Sequence, residues 1–231
     1  MAVTRLADAV EDERQTLGDR VYDHVRQLLI SGRLAPGDRL SLRTLAEGLG
    51  VSMMPVREAV SRLVTDRALE VVPNRAIRVP VMSNTQFAQL ARIRIEVEGF
   101  AAAEAARIRD AAGLERVRAA EDRFRRLAEA AVPDLPAIVE ANQAIHFAIY
   151  EAAGLPDLVE IIGGLWLKIG PILNLDLREN PERLSTGHPV AIHAALRAAV
   201  EAGDPAAAKR ALAEDVAGAA EFILSRRRLP D

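Results

Sequence analysis

The chain has 231 residues, of which 50% are hydrophobic, enough to bury the core of one large domain or two ordinary ones, and we favour two. It contains no cysteine, which excludes disulfides, thiolate metal sites and cysteine nucleophiles. The net charge is −3, and we find neither a signal peptide nor an apolar run of membrane-spanning length. A cytoplasmic protein without a membrane partner is therefore expected.

Positive charge is concentrated towards the amino terminus. Residues 18–82 carry ten arginines and seven acidic residues, so this part is positive in an acidic chain. A solvated arginine face is the usual explanation of such a small excess. The charge therefore supports a nucleic-acid interpretation without establishing it.

Two short helices are predicted next. Apolar residues recur at helical spacing from Leu42 to Leu49, and Gly50 stands where a helix end favours a left-handed backbone. Ser52 is expected to cap the second helix through its side chain, with Pro55 in the first turn. Apolar positions of this helix would face inward, which leaves Ser52, Met53, Met54, Arg57 and Ser61 near the surface that could meet a DNA groove.

A small hairpin is predicted after the second helix. Val71 and Val72 are β-branched, Pro73 to Ala76 turn the chain, and Ile77 to Val79 form the returning strand, with Arg75 at the tip. Helix, turn, helix and hairpin in this order define a winged helix-turn-helix. Binding of double-stranded DNA is thus the first functional hypothesis, with Arg57 as the best reader of bases or phosphates.

The remaining chain is predicted to be helical. Six helices are expected, over residues 84–112, 113–131, 136–153, 157–177, 189–202 and 205–226. Short connections favour an antiparallel bundle, so the fold class is mostly α, with a winged helix-turn-helix followed by an all-α six-helix bundle. The predicted parts are a flexible tail (1–17), a DNA-binding domain (18–80), a linker (81–85) and an effector-binding and dimerisation domain (86–228). Gly163 and Gly164 indicate close helix packing.

Residues Asp19 to Pro80 resemble the DNA-binding domain of GntR-type bacterial transcription regulators. The resemblance rests on VYDHVRQLLISGRLAPGDRL and LAEGLGVSMMPVREAVSRL, followed by the short wing. It implies that Arg43, Ser52, Arg57 and the wing tip contact DNA. Met53 stands where the family usually has arginine, so an altered base preference is expected rather than lost binding.

The helical part resembles the FCD effector-binding domain of the FadR branch of these regulators, most clearly in RIEVEG, NQAIH and HAALRAAVEAGD. Asn142 and His146 are four residues apart and hence share one helix face, a spacing at which two side chains reach one ion. The resemblance implies two further ligands, His193 and Asp215, the latter where family members usually have histidine. Two imidazoles, a carboxylate and an amide oxygen suit Zn²⁺, Ni²⁺, Mn²⁺ or Fe²⁺ without selecting among them.

Each of these residues also has a simpler interpretation. A histidine on an apolar helix face is more often a hydrogen-bonded core residue than a ligand. Arg94 and Glu98 are four residues apart, so a structural ion pair is the favoured interpretation, and binding of an effector carboxylate by Arg94 is the competing one.

Two classes of function remain. The first is a ligand-responsive regulator, expected to be a repressor, which binds a palindromic operator as a homodimer and senses a small carboxylate, with or without a divalent metal. The second is a metal-dependent enzyme, because two histidines and a carboxylate also describe non-haem iron oxygenases. The sequence shows no nucleophile elbow, phosphate loop or HExxH signature, which favours the regulator.

Overall fold

The computed structural model describes residues 16–73, 76–179, 187–226 and 229–231. The amino-terminal part contains helices α1 (Leu17–Ile30), α2 (Leu42–Leu49) and α3 (Met53–Thr65). Three short strands accompany them: β1 (Arg39–Leu40), β2 (Glu70–Val72) and β3 (Ala76–Arg78). The predicted winged helix-turn-helix is therefore present.

Local capping sets most of these helix ends. Thr16 caps α1 through its side chain, so the helix begins inside the segment predicted as a flexible tail, whose residues 1–15 lie outside the described part. Gly50 ends α2 with a φ of 64°, as predicted. The predicted side-chain cap of Ser52 was wrong: Ser52 is the N-cap residue of α3, but its side chain makes no capping hydrogen bond. Its hydroxyl is exposed instead.

The wing is a three-stranded antiparallel sheet in the order β1-β3-β2. Val71 pairs with Ile77 in the predicted hairpin, and Leu40 of β1 pairs with Ile77 from the other side. Sequence analysis missed β1, because a two-residue strand has no periodicity of its own and is stabilised only by its partner strand. The wing is therefore anchored to the chain that enters α2.

The carboxy-terminal part is a bundle of helices, whose bounds lie close to the predicted ones. These helices are α4 (Asn84–Ile108), α5 (Ala111–Ala128), α6 (Leu135–Ala152), α7 (Pro156–Glu179), α8 (His188–Ala202) and α9 (Pro205–Ser225). Side chains of Ser83, Asp110, Asp134 and Asp204 accept hydrogen bonds from backbone amides at the starts of α4, α5, α6 and α9. Helix α4 lies along α9, and α5 lies along α6.

One hydrophobic core runs through both parts of the described chain. Leu29 of α1, Leu63 of α3 and Trp166 of α7 all belong to it. Helix α1 packs on α3 and also directly on α7 of the bundle. None of the described helices is long and apolar enough to cross a membrane.

Candidate nucleic-acid interface and metal centre

The outer face of α3 has the composition predicted for a recognition helix. Val56, Val60 and Leu63 are buried, whereas Arg57 and Ser61 are exposed on the opposite face. Met54 is 74% exposed, which is unusual for a large apolar side chain in a folded chain. This face can enter a major groove, because nothing in the described chain packs over it.

The other predicted DNA contacts are placed as follows. Arg43 of α2 is exposed and forms an ion pair with Glu47 at 2.8 Å. Met53, in the usual position of an arginine, is half-buried and packs against the core. Its side chain has no hydrogen-bond donor to offer a base. Arg75 lies outside the described residues. The contacts that Arg43, Ser52, Met53, Arg57 and Arg75 make with DNA stay predictions.

Three of the four predicted metal ligands meet in the interior of the bundle. His146 comes from α6, His193 from α8 and Asp215 from α9, and one ligand atom of each lies within 4.8 Å of the others. The distance from His146 Nε2 to Asp215 Oδ2 is 3.2 Å, and that from His193 Nε2 to Asp215 Oδ1 is 3.6 Å. Ligand atoms placed about 2.0–2.1 Å from a tetrahedral ion would stand roughly 3.3 Å apart, so the spacing fits a metal centre.

Burial leaves the cluster with unsatisfied nitrogen atoms. His193 is fully buried, and neither ring nitrogen has a hydrogen-bond partner among the described residues. The 3.6 Å separation from Asp215 is too long for a hydrogen bond. Buried polar atoms without partners are costly and rare, and an ion bound at Nε2 would satisfy one of them.

Asp215 supplies the negative charge of the cluster. Burial alone would raise the pKa of its carboxyl group, but the neighbouring imidazoles of His193 and His146 hold that pKa well below its usual value. Asp215 is therefore ionised at neutral pH, which is the form that binds a metal ion.

Asn142 lies one helical turn before His146 and lines the same cavity. This cavity measures about 30 Å³, room for an ion or one to two water molecules. Its wall is partly polar and partly aromatic, with Arg94, Phe124, Asn142, His146, Trp166 and Asp215 among the lining residues. Three of the four predicted ligands, Asn142, His146 and Asp215, thus line one small cavity, and His193 lies beside it, next to Asp215.

Arg94 forms the structural ion pair that the sequence favoured. Its Nε and Nη2 donate to the two carboxylate oxygens of Glu98 at 2.7 and 3.2 Å, and both side chains are buried. Arg94 also lines the cavity, so an effector role remains a prediction. The Tyr150 hydroxyl donates to Glu98 at 2.5 Å and lies 3.1 Å from His146 Nδ1. Burial, followed by the charge of Glu98, raises the pKa of Tyr150 well above its usual value.

Sequence analysis missed the aromatic and phenolic neighbours of the cluster. Tyr150 follows His146 by four residues, so helical periodicity alone places it on the same face and could have found it. Trp166 and Phe124 pack against the two histidines, with ring centroids 5.3 Å from His146 and 4.6 Å from His193. They come from other helices, and no local pattern indicates them.

Together, an exposed recognition helix and a wing define a winged-helix protein of the DNA-binding class, in which the winged helix is joined to a helical bundle with a buried polar centre. Comparison with protein families agrees. Residues 17–79 match the model described as bacterial regulatory proteins, gntR family, and residues 89–218 match the FCD domain. The chain belongs to the GntR family of bacterial regulatory proteins, in its FadR-type branch with an FCD domain.

Similar proteins extend over nearly the whole chain. The HTH-type transcriptional regulator McbR of Escherichia coli is 35% identical over 196 residues, which cover 84% of this chain and 87% of McbR. The structure of E. coli McbR/YncC superposes with a TM-score of 0.84 at 32% identity, covering 92% of this chain and 99% of that one. A probable D-xylose utilization operon transcriptional repressor of Paenarthrobacter nicotinovorans is 28% identical over 204 residues, or 88% of this chain and 87% of the repressor. The chain is accordingly a transcriptional regulator.

Proposed function

We propose that the chain is a metal-dependent transcriptional repressor that binds a palindromic operator as a homodimer and senses a small carboxylate. The observation that carries the proposal is the buried cluster of His146, His193 and Asp215 in a chain whose recognition helix is exposed. The relatives described above are named as transcriptional regulators, which favours this function over a metal-dependent enzyme.

The exposed face of α3 supports DNA binding. Arg57 projects from the solvent side of the recognition helix, where its planar guanidinium group can pair with a guanine edge or a phosphate. Arg43 lies at the start of α2, one position after Leu42. There it would contact the DNA phosphate backbone beside the groove that α3 enters. A palindromic operator would be read by two symmetric copies, one on each half-site, so the proposal includes a homodimer.

The donor set of the cluster supports a divalent transition metal. His146, His193 and Asp215 would hold the ion, with the amide oxygen of Asn142 as a fourth donor. The unsatisfied nitrogens of His193 fit this assignment. When bound, the ion supplies positive charge that can attract the carboxylate of an effector, and the Arg94 guanidinium group at the cavity wall adds to that field.

The test is retention of genomic DNA by the full-length chain. Purified protein loaded with zinc should retain specific fragments of its own genome, and short-chain carboxylates added with zinc should change their affinity. Arg57→Ala should weaken binding strongly and lower the slope of log affinity against log salt by about one, as expected when one phosphate contact is lost, or relax base specificity if Arg57 reads a base.

The matched control is Arg116→Ala, which removes the same charge from an exposed position on α5 of the bundle. This variant should bind like the parent. Equal DNA binding by Arg57→Ala and the parent would overturn the assigned role of α3. Failure of the parent to retain any DNA fragment would overturn the proposal that the chain is a regulator. Steady turnover of carboxylates by the zinc- or iron-loaded chain would count for the enzyme instead.

A further inference from the structure

A continuous row of buried polar groups extends from the proposed metal centre to α4. The row runs from His146 through the Tyr150 hydroxyl to the carboxylate of Glu98 and ends at Arg94. Tyr150 and Glu98 are fully buried, and Arg94 is 3% exposed. Such groups are costly to bury unless each is hydrogen-bonded, and here every member of the row has a partner.

The direction of the hydrogen bonds along this row is fixed from the far end. Arg94 has only donors, so both oxygens of Glu98 accept from it. The Tyr150 hydroxyl has a single hydrogen, which it donates to Glu98 Oε2 at 2.5 Å. Towards His146 the same oxygen can therefore only accept, so the proton of that contact belongs to Nδ1 of His146.

This direction determines which nitrogen of His146 is available to a metal ion. With the hydrogen on Nδ1, Nε2 is the nitrogen left to bind an ion, and it lies 3.2 Å from Asp215 Oδ2, where the ligand atoms gather. A hydrogen bond to the second ring nitrogen of a metal-binding histidine fixes its tautomer and its ring orientation. Tyr150 stands in the place of that second partner.

We propose that Tyr150 is a positioning residue for the metal centre: held by the Glu98–Arg94 ion pair, its hydroxyl sets the tautomer and orientation of His146 and thereby the metal affinity. This inference rests on the proposed metal site. It also gives Arg94 a role that needs no direct contact with an effector, since Arg94 orients Glu98 and Glu98 orients Tyr150.

The variant Tyr150→Phe isolates the hydroxyl. It keeps the ring that packs against Phe147, whose centroid lies 5.6 Å away, and it leaves both Arg94–Glu98 hydrogen bonds in place. The matched control is Tyr22→Phe. Tyr22 is the chain's only other tyrosine, and its hydroxyl also donates to a carboxylate, that of Asp66 at 2.9 Å, but in the DNA-binding part.

The first measurement is the zinc affinity of the full chain, by competition with a chromophoric chelator. Tyr150→Phe should bind zinc roughly 10- to 100-fold more weakly than the parent, the usual loss when an outer partner of a metal ligand is removed. The number of zinc ions bound per chain should be unchanged. Tyr22→Phe should match the parent, and circular dichroism of each zinc-free variant verifies that it is folded.

The second measurement is a spectroscopic signature that a merely structural role would not change. In the zinc-loaded parent, proton NMR should show a downfield, slowly exchanging Nδ1 proton of a histidine, assigned to His146 by its loss in His146→Ala. Tyr150→Phe should lose this resonance or exchange it rapidly, while Tyr22→Phe retains it.

The outcomes separate this inference from the site on which it rests. If the parent binds no zinc, the metal centre itself fails and this inference falls with it. If the parent binds zinc but Tyr150→Phe binds equally tightly, or keeps the protected Nδ1 proton, the positioning role is overturned while the metal centre stands. An equal loss of affinity in Tyr22→Phe would likewise overturn it.

Discussion

The surroundings of His193 leave its polar ring atoms buried and without hydrogen-bond partners in the described chain. The side chain is fully buried between Phe124 and His146. An apolar residue at this position would avoid that cost. A polar group kept in such surroundings is better explained by binding than by stability.

The double variant His146→Ala and His193→Ala should abolish binding of zinc, because it removes both nitrogen ligands of the cluster. In the parent, zinc at about 100 times its Kd should stabilise the folded chain by about 2.7 kcal/mol. For a chain of this size that corresponds to a rise of roughly 5–10 °C in Tm. Calorimetric melting with and without zinc measures both effects.

His24→Ala is the matched control for this prediction, since His24 is exposed on α1, outside the cluster. It should show the same zinc-dependent rise in Tm as the parent. A double variant that still gains the full rise would mean that zinc binds elsewhere on the chain.

Helices α1 and α3 are joined by a small polar cluster around Tyr22. The Tyr22 hydroxyl donates to Asp66 at 2.9 Å, Arg62 lies 4.2 Å above the ring centroid, and Arg62 also pairs with Asp19 at 2.6 Å. Cation–π and ion-pair contacts at a partly exposed site contribute little individually. Together with the buried apolar contacts between α1 and α3, they hold the recognition helix against α1.

Alkaline titration tests this junction. Burial and the hydrogen bond to Asp66 raise the pKa of Tyr22 to about 12, from 10.0. A raised pKa means that the neutral phenol stabilises the folded state: this contribution is complete below pH 10 and is lost as the pH rises towards 12. In the variant Tyr150→Phe, where Tyr22 is the remaining tyrosine, phenolate absorbance of the folded chain should have its midpoint near pH 12.

Circular dichroism during the titration shows whether the chain is still folded. The variant Tyr22→Phe should lose less unfolding free energy than the parent between pH 10 and 12. A phenolate midpoint at pH 10 in the folded chain would contradict the described contact between Tyr22 and Asp66.

At the scale of the whole molecule, α7 touches both the DNA-binding part and the proposed metal centre. On one face, a Cβ atom at Gly163 would lie 2.5 Å from Arg26 Nη2, and one at Gly170 would lie 2.8 Å from the Cα atom of Ile30. On another face, Trp166 packs on His146. The close-packing prediction is thus confirmed for Gly163, but it was wrong for Gly164, which has open space.

Gly170→Ala and Gly164→Ala form a matched pair on this helix. Both replace glycine by a better helix former, worth up to about 1 kcal/mol. Gly164→Ala should therefore be neutral or stabilising, because an added Cβ there meets nothing within 4 Å. Gly170→Ala forces backbone atoms of α1 and α7 apart and should be less stable than Gly164→Ala by about 1–3 kcal/mol.

Urea denaturation of the two variants measures this difference. Equal unfolding free energies would show that α1 and α7 do not approach each other as closely as described.

The sequence by itself determined most of the helices, several of their ends and the winged order of the first part. These depend on residues within a few positions of each other: Gly50 ends α2 and Asp204 caps α9 whatever the rest of the chain does. The family resemblance also supplied the four residues of the proposed metal centre.

Only the tertiary structure decided how distant residues meet. The contact of Tyr150 with Glu98 spans 52 positions, and the edge-to-face contact of Phe124 with His193 joins α5 to α8. Such contacts between helices depend on how the helices cross and how closely their side chains pack. The same reason explains why the sequence analysis missed β1 and misjudged Gly164. A two-residue strand and a glycine with open space are defined by what lies opposite them, and no local sequence pattern contains that information.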